Sequence, residues 1–157
     1  MVEDSKKPRN AQGGLRSATR LLAVQVVYSA VMLKSTIKKA VQNFENGKKA
    51  FISETLSVSE FDEVFFSKLT TATEKHLEEI DQMISSNLSE NWKFERLNNV
   101  MKAILRLGVT ELLYFKDIPV NVVFNEYVEI SKAFFEKNEV AFINGLLNSL
   151  SSLSKHK

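Results

Sequence analysis

The chain has 157 residues, 44% hydrophobic and 25% charged, with a net charge of +2, enough for one domain that buries roughly two-thirds of its unfolded surface without staples. It has no cysteine, which excludes disulfides, thiolate nucleophiles and thiolate metal sites and fits a cytoplasmic location. Two prolines and five glycines among many Leu, Val, Ala, Lys and Glu predict an all-α fold.

Residues 1–14, "MVEDSKKPRNAQGG", offer little to bury and read as a flexible basic arm; residues 15–157 read as a single domain. The first 20 residues hold Lys6, Lys7, Arg9, Arg16 and Arg20 against Glu3 and Asp4, so the positive excess sits at this end. A secretory signal is not expected, because acids precede the bases, Gln25 and Tyr28 interrupt the apolar run, and no small-x-small cleavage pattern follows. The run is also too short to span a bilayer.

From Leu15 the apolar spacing is helical, with Arg16 and Arg20 one turn apart at an end expected to be exposed. A weaker helix is predicted over Thr36 to Phe44, ending near Gly47. "SVSE" (Ser57 to Glu60) has the form of a capping box, and a long helix or broken pair then runs to about Leu88. Phe61, Phe65, Leu69, Ala72, Ile80 and Ile84 point inward, with His76 on or beside the stripe. "RLNNVMKAILRLGVTELLYF" is the most hydrophobic stretch, with a narrow polar stripe of Lys102, Arg106 and Thr110, and is predicted to be surrounded by other helices. "KDIP" ends it. The next helix buries Val120, Phe124, Tyr127 and Val128; the last starts with Asn138 as N-cap and buries Ile143, Leu146, Leu147, Leu150 and Leu153. The sum is a compact bundle of six to eight helices.

Polar breaks interrupt the last two helices. Gly145 beside Ala141 predicts a close helix approach, with Asn144 hydrogen-bonding across it, and Asn125 and Glu126 are expected to act likewise.

No catalytic constellation is legible. Gly13 and Gly14 lack the continuation of a phosphate loop, "EKHLEE" is not a zinc motif, and Glu78, Glu79 and Asp81 read as a solvated face. No cofactor is expected. The basic arm with Arg16 and Arg20 suits phosphate contacts or a merely soluble tail, and charge alone does not choose between them.

"AVQVVYS" (Ala23 to Ser29), "RLNNVMKAILRLGVTELLYFKDIPVNVVFNEYVEISKAF" and "FINGLLNSL" together resemble the NusB family of transcription antitermination factors. The likeness covers the first helix and residues 92 to 150; Lys34 to Asn91 match only in length and helical character. It implies a non-enzymatic RNA-binding protein with two helical subdomains. Such a protein pairs with NusE, the ribosomal protein S10 of the small subunit, and grips the boxA element of nascent RNA. The pair helps RNA polymerase, within the elongation complex, read through terminators of ribosomal RNA operons.

On this resemblance the RNA-binding residues are Arg16 and Arg20, with Ser17 and Ala18 where further arginines often occur and Lys6, Lys7 and Arg9 as compensation. Gln25, Asn138 and Phe142 follow, Phe142 as a base-stacking ring, with Lys137 substituting for a basic residue replaced by Ala141. Glu95, Met101 and Leu105 correspond to partner-binding positions, and Tyr28 matches a family tyrosine read as structural. A homodimer covering the RNA surface is left open. The competing readings are an accessory RNA-binding domain like that of ribosomal RNA cytosine methyltransferases, and a helical protein-interaction module with no nucleic-acid role.

Overall fold

The computed structural model describes residues 2–51 and 60–154, with side chains for residues 14–47 and 60–152. Seven α-helices occur among the described residues: α1 (Val2–Met32), α2 (Ile37–Phe51), α3 (Glu63–Lys75), α4 (Leu77–Ser86), α5 (Asn99–Tyr114), α6 (Val120–Phe134) and α7 (Lys137–Ser154). A 3₁₀ turn, Phe94–Arg96, precedes α5, and no strand is present among these residues. Helices α1, α2 and α3 pack on one another, as do α5, α6 and α7, and α1 against α5 joins the two groups.

Local chemistry sets the helix ends. Beyond α1, Lys34 takes a left-handed conformation (φ 54°) while Ser35 N–H donates to Ala30 O and Lys34 N–H to Val31 O. This pair of bonds is a Schellman closure, here made without glycine. Thr36 Oγ1 accepts from Lys39 N–H at 3.0 Å, and Glu74 of α3 accepts Ile37 N–H at 2.8 Å, so α2 starts against α3. Gly47 breaks helical geometry inside α2 (φ −115°, ψ 20°), near the predicted end.

The helix predicted after "SVSE" starts later. Ser57 lies outside the described residues, Glu60 is not helical, and Asp62 caps α3 by accepting Phe65 N–H at 3.0 Å. An aspartate three residues before a buried aromatic does the work assigned to the capping box. Of the two alternatives, one long helix or a broken pair, the structure has the pair, with the break at His76, which ends α3 and precedes α4. Helix α7 begins at Lys137, with Val140 N–H bonded to Glu136 O. Asn138 therefore stands within the first turn and is not the cap.

Helix α5 is the core element, touching α1, α3, α4, α6 and α7. Its polar stripe is not a solvated one. Thr110 is buried and shares a 2.9 Å hydrogen bond with Thr73 of α3, and Arg106 makes two 2.8 Å bonds to Asp81 of α4. The close helix approach expected at Gly145 occurs instead at Gly108. A Cβ on Gly108 would lie 3.2 Å from Leu147 of α7 and 3.6 Å from Tyr127 of α6, whereas one on Gly145 would meet nothing within 4 Å. Ala141, Asn144 and Gly145 are all exposed, so the polar break in α7 faces solvent. In α6 the two breaks differ: Asn125 is exposed, while Glu126 bonds back to α1.

Val120, Phe124 and Val128 are only half-buried, and Val123, Ile130 and Ser131 join Tyr127 as the buried residues of α6. Ile143, Leu146, Leu147 and Leu150 of α7 are buried as expected; the side chain of Leu153 lies outside the described residues.

Candidate nucleic-acid interface

The two arginines of α1, one turn apart, have different fates. Arg20 is 3% exposed; its Nε and Nη2 donate to both oxygens of Glu111 on α5 at 2.7 and 2.9 Å, and its Nη1 lies 3.4 Å from Glu126 on α6. Tyr127 Oη donates to the same Glu111 at 2.5 Å, and Ser17 Oγ donates to Glu126 at 2.7 Å. Burial pulls the Arg20 pKa down, but the bonds and charge of Glu111 outweigh it and the net direction is up. Burial first, then the Glu111 charge, drive the Tyr127 phenol well above its ordinary value near 10. This network clamps α1, α5 and α6 together. With Arg20 buried in it, almost none of the guanidinium is accessible to a phosphate, which corrects its assignment to RNA and the expectation that this end of the helix is exposed.

Arg16 remains accessible, with 38% of its side chain in solvent. Its guanidinium lies 4.5 Å above the Phe65 ring and 3.8 Å from Asp62 Oδ2, at the mouth of a small cleft that also includes Lys68 and Asp117. Lys6, Lys7 and Arg9 fall on the first turns of α1, and their side chains lie outside those described.

Helical spacing brings Val24, Gln25, Tyr28 and Ser29 to one side of α1, where with Val100 of α5 and Phe134 of α6 they line an apolar groove of about 400 Å³. Gln25 and the Tyr28 hydroxyl supply polar groups on an apolar floor, an arrangement suited to a flat ring with hydrogen-bonding edges. Tyr28, read as structural from the sequence, thus lines an open surface.

On α7, Lys137 and Asn138 are exposed. Phe142 is half-buried against the core, with the Trp92 ring 4.9 Å away and tilted 33° over it. The remaining assignments divide similarly. Glu95 is exposed on the 3₁₀ turn, and its carbonyl accepts Lys102 Nζ at 3.1 Å. Met101 and Leu105 are 5% and 0% exposed; they point into the core and present no surface to a partner, so both partner-binding assignments are corrected. Helix α5 is contacted on nearly every side, as its hydrophobicity predicted, and the positions matched by resemblance fall within those contacts.

Sequence reasoning passed over Trp92 and Phe134, which are 50% and 40% exposed. The available signal for Trp92 was a lone tryptophan among polar residues, "SENWK", outside any helical stripe.

The features first considered for chemistry are structural. His76 stacks on Tyr114 at 3.9 Å, with Nδ1 3.5 Å from Glu79. Glu79 also accepts from Tyr114 Oη at 2.7 Å, and Asp81 is held by Arg106. Among the described residues no three His, Asp or Glu side chains gather as a metal site, and no single helix is long and apolar enough to cross a membrane.

Residues 17–152 match the NusB family. Over 141 residues the chain is 37% identical to Transcription antitermination protein NusB of Sphingopyxis alaskensis, covering 90% of this chain and 95% of that one. Over 143 residues it is 38% identical to the protein of the same name from Shouchella clausii, covering 90% and 98%. A solved structure of antitermination factors NusB and NusE in complex with dsRNA superposes with a TM-score of 0.71 at 26% identity, covering 87% of this chain and 96% of that one. The chain therefore belongs to the NusB family and is a transcription antitermination factor, not an enzyme.

Proposed function

We propose that this chain binds boxA RNA of nascent transcripts jointly with NusE, and that the assembly helps RNA polymerase in the elongation complex read through terminators of ribosomal RNA operons in the cytoplasm. Family membership carries the reading, together with the likeness to a NusB solved with NusE in complex with dsRNA. Arg16, with Lys6, Lys7 and Arg9, supplies phosphate contacts. Gln25 reads a base edge in the groove between α1, α5 and α6, and Lys137, Asn138 and Phe142 extend the surface on α7. Glu95 contributes to the NusE face. Arg20, Met101 and Leu105 act from the interior, by fixing the helices that carry these residues.

Fluorescence anisotropy tests this reading, with a boxA-type RNA against a scrambled RNA, with and without NusE, at two salt concentrations. The expected result is tighter binding to boxA when NusE is present, weakening steeply as salt rises. Equal binding of both RNAs under every condition overturns the boxA assignment.

A further inference from the structure

Trp92 is the only tryptophan in the chain and sits in the loop between α4 and the 3₁₀ turn. Its amide is tied to Ser89 O at 3.0 Å, and half of its surface is in water. One side of the ring leans on Phe142, which itself rests on the core. Phe142 is therefore covered by the tryptophan, and the aromatic surface offered to solvent is the indole. One turn along the same side of α7, Gly145 places no side chain beside the pair, and on the other side stands exposed Asn138. A large rigid ring held from behind by a second ring, beside an amide able to bond a base edge, has the features of a stacking platform for an unpaired nucleobase.

We propose that Trp92 is a base-stacking residue of this chain: an unstacked nucleobase of single-stranded RNA seats on the exposed indole face, with Phe142 as its backing. The inference rests on the RNA-binding reading above and assigns to Trp92 the stacking role that Phe142 was expected to fill. A stacked base contributes no counterion release, so the Trp92 contact is nearly independent of salt, unlike the contact made by Arg16.

The lone tryptophan makes the test direct. A short single-stranded boxA-type RNA carrying a dye is titrated with the unmodified chain, following RNA anisotropy and tryptophan emission in the same samples. Stacking quenches the indole, so emission is expected to fall with the same midpoint as the anisotropy rise. Trp92→Ala is expected to weaken binding by about 5- to 100-fold at both salt concentrations, leaving the salt slope unchanged, and Trp92→Phe is expected to recover most of the loss. Thermal unfolding checks that each variant is folded, and the emission titration of the unmodified chain stands if one is not. Binding with unchanged emission, or a folded Trp92→Ala that binds as tightly as the parent, overturns the inference and leaves the RNA reading standing. Absence of RNA binding at either salt concentration, with or without NusE, overturns both.

Discussion

At the junction of α1, α5 and α6, Arg20 and Glu111 are buried, Glu126 is partly buried, and each has a partner: Arg20 holds Glu111 and approaches Glu126, while Tyr127 bonds to Glu111 and Ser17 to Glu126. Along the outer edge of α7, the polar residues Asn138, Asn144 and Asn148 and the bare Gly145 face solvent. The first region is costly to form and expensive to damage, because a buried charge tolerates no missing partner. The second contributes little to stability and remains available for contact. Polar residues in a helical protein thus divide by what lies opposite them: those at the junction hold three helices together, and those on the edge of α7 stay open to solvent.

The sharpest way to break this contrast is Glu111→Ala. It strips Arg20 of both short hydrogen bonds and Tyr127 of its acceptor, and it is expected to cost about 3–5 kcal/mol in urea denaturation. Removing both charges together, Arg20→Met with Glu111→Leu, is expected to cost far less, because no unpaired ion remains. A loss below about 1 kcal/mol for Glu111→Ala would show that this junction is no more demanding than the surface. The same network sets an alkaline limit. Below about pH 10 the Tyr127 phenol is protonated in folded and unfolded chains alike, and its contribution is complete. Above that pH the unfolded phenol ionises while the folded one, raised by burial and Glu111, holds its proton, so stability falls as pH rises. Tyr114, pushed up to about 12 by partial burial and Glu79, acts with the same sign. Urea midpoints at about pH 8 and about pH 11 should therefore diverge in the parent chain and diverge less in Tyr127→Phe.

Two helical glycines sharpen the comparison with opposite signs. Gly108 sits where a Cβ would come within 3.2 Å of Leu147 and 3.6 Å of Tyr127, so Gly108→Val overfills the contact of α5 with α6 and α7 and is expected to destabilise by about 1–3 kcal/mol. Gly145 faces open space, and Gly145→Ala is expected to stabilise by about 0.5–1 kcal/mol, since alanine improves helix propensity and meets no neighbour. Thermal unfolding of the two variants beside the parent reads both signs at once. A destabilising Gly145→Ala would mean that the outer edge of α7 is not open.

Much of the fold was legible in the sequence because helical periodicity reports burial directly: Leu69, Ile80, Ile84, Ile143 and Leu147 fall inside as their spacing requires. The sequence left open whether the segment up to Leu88 is one helix or two and gave the break no position, and Gly47, where a helix was expected to end, is instead a kink inside α2. Pairings between distant helices were not legible. Nothing in the spacing of Arg16 and Arg20 tells them apart, because what separates them is Glu111, 91 residues away. Likewise Gly145 and Gly108 look alike in sequence, and only the third dimension places Leu147 and Tyr127 over one of them. Met101 and Leu105 were given to the partner face by the family resemblance alone, although the hydrophobicity of their helix already pointed to packing on most sides, and there they are buried. The family resemblance supplied the function, while the exposed indole of Trp92 became visible only once α7 lay beneath it.

The smallest effect on stability tests the contrast within a single helix turn. Arg16→Ala removes a 3.8 Å ion pair with Asp62 and a guanidinium stacked 4.5 Å above Phe65, both at the surface, and is expected to cost less than about 1 kcal/mol. Its effect on RNA should be electrostatic: removing one phosphate contact lowers the magnitude of the salt slope by about 0.7. Arg16→Lys separates the two roles, because lysine keeps the charge while losing the planar stack on Phe65. Retention of the salt slope in Arg16→Lys and its reduction in Arg16→Ala would assign the residue to phosphate. A slope unchanged in both would leave Arg16 as a cap over Phe65, making it structural like Arg20 despite its exposure. The same titration on Arg20→Ala does not answer the question, since any weakening there reports loss of the junction that holds α1 in place.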